Sequence, residues 1–294
     1  MRTLIDFRDA RVVALPTPDG LRVGVLVEGP QGWGEFSAPP DADDALAARW
    51  LTAAMEPSTV GWPDAVRGQV PVAAARVTVA ARPGALDAAL ERVHAVHDNL
   101  PAGALLRCSV QVADVDAAVG LIGELARTIP ALDIVELTSA SAVSAAALRS
   151  RSAVPVAVEA DVLAQAPRPA EIADAAILRS GPLGGVRRAL RRAEAIGLPA
   201  LVNPTGLTSV GIAGDIALAA AMPQLPYPCG PTPRWLADAD VVSPSRSLTG
   251  EGGWLPAAPT PASPDTDRLG RYQVTDPSTV ERWQALLQRA GEAR

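Results

Sequence analysis

Apolar and polar positions change rhythm twice along the 294 residues. Residues 22–28 are rich in valine, Gly29-Pro30 and Gln31-Gly32 mark a turn, and Trp33-Gly34-Glu35-Phe36 resumes the run, which predicts a hairpin. A helical period follows over 41–55, with Asp41, Asp43 and Asp44 near its positive end. Residues 57–71 read as a connector punctuated by Pro and Gly. From residue 70, apolar runs over 70–79, 104–110, 132–137, 154–158, 175–179 and 199–202 predict strands. Helical stretches over 84–97, 114–128, 141–149, 184–195 and 208–221 lie between them. A repeat of about 20–30 residues is the strand–helix period of parallel sheets and (β/α) barrels. Residues 256–264 are rich in Pro and Ala and predict irregular chain. Asp276-Pro277 is then a good helix start, and Val280, Trp283 and Leu287 form a stripe that predicts a docked terminal helix.

Composition narrows the choice of core. Apolar residues make up 48% of the chain but aromatics only 3%, so Ala, Val, Leu and Ile must fill it, as suits parallel strands covered by helices. The net charge of −6 lacks the electrostatic footprint of a nucleic-acid binder. The dense basic run Arg187, Arg188, Arg191 and Arg192 sits on a helical pattern and reads as a solvated face. Cys108 and Cys229 form no CxxC pair, which excludes a thiolate metal site and fits a reduced compartment. Residues 1–6 break into charge before a leader's apolar core, and the apolar stretch 210–222 contains Asp215 and is too short for a bilayer. No membrane association and a cytoplasmic location are the expectations.

Two absences bear on chemistry. Every basic residue of the Lys+Arg total of 26 is arginine, so no lysine base, Schiff base or phosphate-binding lysine exists. His94 and His97 are the sole histidines, and their helical spacing without a third ligand reads as a surface pair. A Ser-His-Asp triad has no histidine to draw on near the strand ends.

Four segments in order carry a family likeness. EGPQGWGEF over 28–36, LRSGPLGGV over 178–186, TSVGIA over 208–213 and LPYPCG over 225–230 resemble motifs of actinobacterial-type o-succinylbenzoate synthases of the enolase superfamily. That resemblance implies a small N-terminal α+β capping domain over residues 1–68 and a modified, shortened TIM barrel over 69–230. A C-terminal segment, 231–294, would end in a helix and partly join the cap. It also implies an active site at the carboxy ends of the strands. In the family, one lysine removes a proton α to a carboxylate, Mg²⁺ on three acids stabilises the enediolate, and a second lysine stabilises charge across the barrel.

Carried over residue by residue, the family's KxK lysines become Arg76 and Thr78, and the far lysine becomes Arg179. The first metal-binding aspartate becomes Ser109. Glu136 keeps the VEQP glutamate, and Glu159 matches the ADES aspartate, with Asp161 as its alternative under a shift. Glu136 and Glu159 alone make an incomplete Mg²⁺ site, so no cofactor is expected. Guanidinium keeps its proton at working pH, and an unactivated threonine is a very poor base. Roughly one helix–strand step, about 25 residues, is missing between the strand at 70–72 and the one starting at 75. The loop 16–20 is also shorter than the family's specificity loop.

Two functional readings follow. In one, Arg76, Arg179, Glu136 and Glu159 fill the old catalytic positions with salt bridges, the dehydration is lost, and a role in binding a small carboxylate or a partner remains. In the other, the same four residues run a lyase, isomerase or cyclase reaction, the glutamates moving protons and the arginines holding an anionic substrate. Thr78, Ser109, Asn203, Thr205 and Thr208 are expected to line the mouth. Gly184 and Gly185, before a helix, are candidates for anion binding. Trp33 reads as a packed hairpin aromatic, with a position over the pocket as its alternative.

Overall fold

The computed structural model describes Phe7, residues 10–129 and residues 132–294, apart from the side chain of Glu251. The stretch 1–6, from which the absence of a leader was argued, lies outside the described residues.

Strands β1 (Arg11–Thr17), β2 (Gly20–Gly29) and β3 (Gly32–Phe36) form an antiparallel meander. Thr17 pairs directly with Gly20, so the short 16–20 loop is a tight hairpin turn. Helix α1 (Asp44–Thr59) packs beneath the meander, its N-cap Asp43 accepting from Leu46 N at 2.7 Å. The expected end of this helix at residue 55 is corrected by one further turn through Pro57. There, Ser58 Oγ and Thr59 Oγ1 donate to the carbonyls of Ala54 and Met55 and help satisfy the final turn.

The strand expected over 70–79 is two strands, β4 (Gln69–Pro71) and β5 (Ala75–Ala81). Alternation then proceeds through α2 (Leu86–His97), β6 (Leu106–Val112), α3 (Val115–Thr128), β7 (Val135–Thr138), α4 (Ala142–Arg149) and β8 (Val156–Glu159). It continues through α5 (Ala160–Leu163), β9 (Ala175–Leu178), α6 (Ser180–Leu183), α7 (Val186–Ile196), β10 (Ala200–Val202) and α8 (Ser209–Ala221). Strands β5 to β10 form one parallel sheet in chain order, the arrangement of a barrel wall. Their pleat sorts the side chains. On β5, Ala75, Val77, Val79 and Ala81 are buried in the outer core beneath the helices, while Arg76, Thr78 and Ala80 lie on the other face. Ile134, Ala157, Ala175, Ile177 and Leu201 make an apolar floor inside the barrel, with Tyr227 against it.

The wall continues past β10 through isolated hydrogen bonds. Gly230 N donates to Val202 O at 2.8 Å, Cys229 N to Pro71 O at 2.8 Å, and Ala73 N to Cys229 O at 2.9 Å. The far edge of β4 pairs antiparallel with β11 (Trp254–Pro256). Residues 72–74 run straight from β4 into β5 with no helix between, as the missing step requires. Among the described residues no strand pairs with the outer edge of β5, and Thr78, an inward position, is exposed there. The fold is thus a cap on a barrel whose wall is interrupted beside β5.

The C-terminal segment holds two elements the pattern did not predict, β11 and α9 (Thr266–Tyr272), before α10 (Pro277–Glu292). Helix α10 starts at Asp276, which accepts from Thr279 N, and buries Trp283, Leu286 and Leu287 against α1 and the meander. Phe36 and Trp283 meet edge to face with centroids 6.1 Å apart.

Candidate functional site

Parallel register sets the candidate residues in rows across the barrel interior. Thr78 lies opposite Ser109, Ser109 opposite Glu136, and Glu159 opposite Ile177. Glu136 is completely buried and is the hub of the site. Its Oε1 accepts from Arg76 Nη2 at 3.3 Å, with Arg107 Nε 3.7 Å away. Its Oε2 accepts from Ser109 Oγ at 2.9 Å and from Asn203 Nδ2 at 3.0 Å. Arg76 also donates to Asn203 Oδ1, closing a ring of three side chains. Glu159 is held by Arg179, whose Nε and Nη2 reach Oε1 at 3.0 and 2.9 Å. This second pair is more open, with side-chain exposures of 21% for Arg179 and 35% for Glu159.

Arg107 went unnoticed in the sequence, although period two in LRCSV puts it on the same face as Ser109. It is 1% exposed, donates to Asp133 Oδ1 at 3.0 Å and to Pro228 O at 2.9 Å, and sits beneath Glu136. Burial lowers the affinity of Arg76 for its proton, and the charge of Glu136 opposes that shift. Burial acts in the same sense on Arg179, but the charge and hydrogen bonds of Glu159 outweigh it and raise its pKa. Both stay protonated, so neither is a base. Arg76 Nε and Arg107 Nε are buried without a hydrogen-bond partner among the described residues.

A magnesium site does not fit these residues. Both oxygens of Glu136 already accept from protein donors, Ser109 supplies no charge, and Glu159 is clasped by a guanidinium. Among the described residues no three His, Cys, Asp or Glu side chains cluster as metal ligands would.

Four expected mouth residues serve other ends. Gly184 and Gly185 precede α7 with positive φ, as an anion-binding turn would, but the carboxylate there is the protein's own. Glu56 of α1 accepts from Val186 N at 2.5 Å, from Arg187 N at 3.1 Å and from Arg187 Nη1 at 2.9 Å. Arg187 is therefore a cap-to-barrel tie, which corrects its reading as part of a solvated face. Glu35 does the same for α8, accepting from Leu207 N at 2.6 Å, Thr208 N at 2.8 Å and Thr208 Oγ1 at 2.5 Å. Thr208 is thereby withdrawn from the mouth. Thr205 binds Asp215 through its backbone N at 2.8 Å, and Asp215 also accepts from Ser180 N at 2.7 Å.

Two cap carboxylates thus each dock on the start of a barrel helix, where backbone N–H groups and the helix dipole favour negative charge. Burial raises the pKa of both Glu35 and Asp215, against the pull of their hydrogen bonds. The polar letter in GWGEF and the lone acid in the apolar 210–222 run were the available signals for Glu35 and Asp215. Among the other candidates, His94 Nε2 meets Thr128 Oγ1 and His97 Nδ1 meets Asp98, on the outer helix α2. Asp161 lies 3.9 Å from Arg49. Trp33 packs against the apolar cluster in which Val13, Leu15 and Leu26 of the meander meet Leu207 and Val210 of the barrel.

Comparison with solved structures places the architecture. The muconate lactonizing enzyme from Pseudomonas putida superposes with a TM-score of 0.69 at 17% identity, over 92% of this chain and 100% of that one. The 2-chloromuconate cycloisomerase from Rhodococcus opacus 1CP gives 0.68 at 19% identity, over 90% and 98%. A cap of this form on parallel strands is the enolase-superfamily plan, and residues 20–58 match the family model described as Enolase N-terminal domain-like. By sequence the chain is 38% identical over 299 residues to an o-succinylbenzoate synthase of Thermobifida fusca (strain YX), spanning 93% of this chain and 91% of the relative. It is 34% identical over 261 residues to one of Mycolicibacterium smegmatis (strain ATCC 700084 / mc(2)155), spanning 81% of each. The chain belongs to the o-succinylbenzoate synthase family of the enolase superfamily. Among the described residues no helix is long and apolar enough to cross a membrane.

Proposed function

We propose that this family member no longer performs a lysine- and Mg²⁺-dependent dehydration, and that its barrel keeps a binding role for a small carboxylate. The observation that carries the reading is the full occupancy of Glu136 by Arg76, Ser109 and Asn203. A carboxylate whose two oxygens already accept from protein donors is a poor metal ligand, and the arginines beside it cannot replace a lysine base. The more open Arg179–Glu159 pair supports the binding role, since a substrate carboxylate can exchange for Glu159 on the guanidinium fork. The same openness favours the second reading, in which Glu159 moves a proton on a substrate held by Arg179.

An assay of o-succinylbenzoate formation from its cyclohexadiene carboxylate precursor, with and without Mg²⁺, tests the first reading. The expected result is no enzyme-dependent product in either condition. Mg²⁺-dependent turnover that disappears in Glu136→Gln overturns it. Succinate and benzoate are expected to raise the melting temperature of the wild type but not of Arg179→Gln. Turnover without added metal, lost in Glu159→Gln, decides for the second reading.

A further inference from the structure

A cleft of about 700 Å³ lies between α1 and α7, lined by none of Arg76, Glu136, Glu159 or Arg179, and within the size range of small-molecule sites. Its two walls differ in kind. Leu51, Met55 and Val60 supply an apolar side, edged by Arg294, whose Nη1 donates to Met55 Sδ at 2.6 Å, and Val60 is 63% exposed although it is a large hydrophobe. Arg187, Arg188 and Arg191 of α7 supply the other. The charge of Arg187 is already matched by Glu56, and Arg187 Nη1 also donates to Gly61 O at 2.6 Å. Arg188 and Arg191 are exposed, and among the described residues no carboxylate lies within 4.0 Å of either.

Two guanidinium groups three positions apart on one helix face, without a carboxylate partner among the described residues, make a local positive field beside an apolar wall. Guanidinium favours the planar, bidentate geometry of carboxylate and phosphate. We propose that this cleft binds a small amphipathic anion, its oxyanion head on Arg188 and Arg191 and its apolar tail along Leu51, Met55 and Val60. The concave shape favours a small molecule over a protein or nucleic-acid surface. The site is independent of the barrel mouth, so its test and that of the proposed function fail separately.

Calorimetric titration of the full chain with octanoate and with octyl phosphate tests the idea, with octyl glucoside as an uncharged tail and inorganic phosphate as a bare head. One saturable site is expected for at least one of the two amphipathic anions, and the tighter of them identifies the head group. Arg188→Gln combined with Arg191→Gln is expected to weaken binding at least tenfold. Both arginines also border a second cleft towards Leu163 and Ile196, which Val60 does not line. Val60→Asp is therefore expected to weaken binding by a similar factor and so to locate the tail, with circular dichroism verifying the fold of each variant. Equal binding of octyl glucoside, full affinity in either variant, tighter binding of inorganic phosphate, or no saturable heat with either anion overturns the proposal.

Discussion

The guanidinium of Arg76 occupies the space that a side chain on Gly230 would need, and there it meets Asn203. Gly230 N donates to Val202 O of β10, at the end of the parallel sheet opposite β5, so one arginine reaches across the barrel and leans on a bare backbone. A methyl group at position 230 would push into both Arg76 and Asn203. Gly230→Ala is expected to lower stability by about 1–3 kcal/mol, the cost of overpacking a filled interior. Chemical denaturation measures it, and an unchanged midpoint would show that Arg76 swings aside without penalty.

Glu136 compensates Arg76 and Arg107, and its side chain is only 1% exposed. Glu136→Gln keeps the shape but leaves buried positive charge unanswered, at an expected cost of about 3 kcal/mol. Arg76→Gln in the same chain should recover a good part of that loss, because partners in one network are not additive. A double-mutant cycle by denaturant titration yields the coupling, and strict additivity would remove Glu136 as the hub.

Ser109 Oγ lies 2.9 Å from Glu136 Oε2, where another carboxylate would crowd a like charge. Ser109→Asp is expected to be less stable than the wild type in EDTA. Mg²⁺ should reduce that deficit, since it answers both acids at once. Melting temperatures in EDTA and in Mg²⁺ decide the matter. A rise with Mg²⁺ in the wild type itself would contradict the poor fit described for its carboxylates.

The buried latch of Glu35 has a definite pH signature. Its pKa is raised above the ordinary 4.5, so the folded state holds its proton more tightly than the unfolded chain does. The stability this confers is fully present below about pH 4.5 and is lost as pH rises through the folded-state value. Glu35→Gln removes the titration and keeps one carbonyl acceptor, so that one of the bonds from Leu207 N and Thr208 N is lost equally at every pH. The stability of the wild type relative to Glu35→Gln is therefore expected to decline as pH climbs from 4.5 towards neutrality. Denaturation midpoints across that window measure it, and a flat or rising difference would contradict the assignment.

Cys108 and Cys229 are completely buried, and burial pushes both thiols up to about 12. Neither should react with a thiol reagent at pH 8 in the native protein, because the thiolate is the reactive form. Labelling is expected to follow unfolding, with both sites modified together in denaturant. Fast modification of Cys229 alone would mean that the wall opens locally.

Much of the architecture was legible because period carries it. Valine-rich short runs between helical stretches located β5 to β10 and their helices, and Asp276-Pro277 located the start of α10. Local signals are weak where tertiary partners decide. The strand β11 is three residues with Pro at its end, and it forms because β4 offers an unpaired edge. Helix α1 passes Pro57 because side-chain hydroxyls support its last turn. Within the site, motif positions located Arg76, Glu136, Glu159 and Arg179, but which atoms meet depends on register across the barrel. For the same reason, Thr208 and Gly185 looked like ligand contacts when cap carboxylates from 130 or more positions away already held their helix starts.

Where β10 meets β4, three backbone hydrogen bonds at Cys229 and Gly230 do the work of a ladder. The seam is also core, since Val70, Val72, Val202 and Cys229 around it are buried, so apolar packing holds it together with those bonds. The seam also joins residues far apart in the chain, Pro71 and Ala73 to Cys229, a long-range closure of the kind that slows folding. With the step between β4 and β5 missing, the wall ends beside β5 among the described residues, while on its other side the backbone tie of β4 to β10 runs through Cys229 and Gly230.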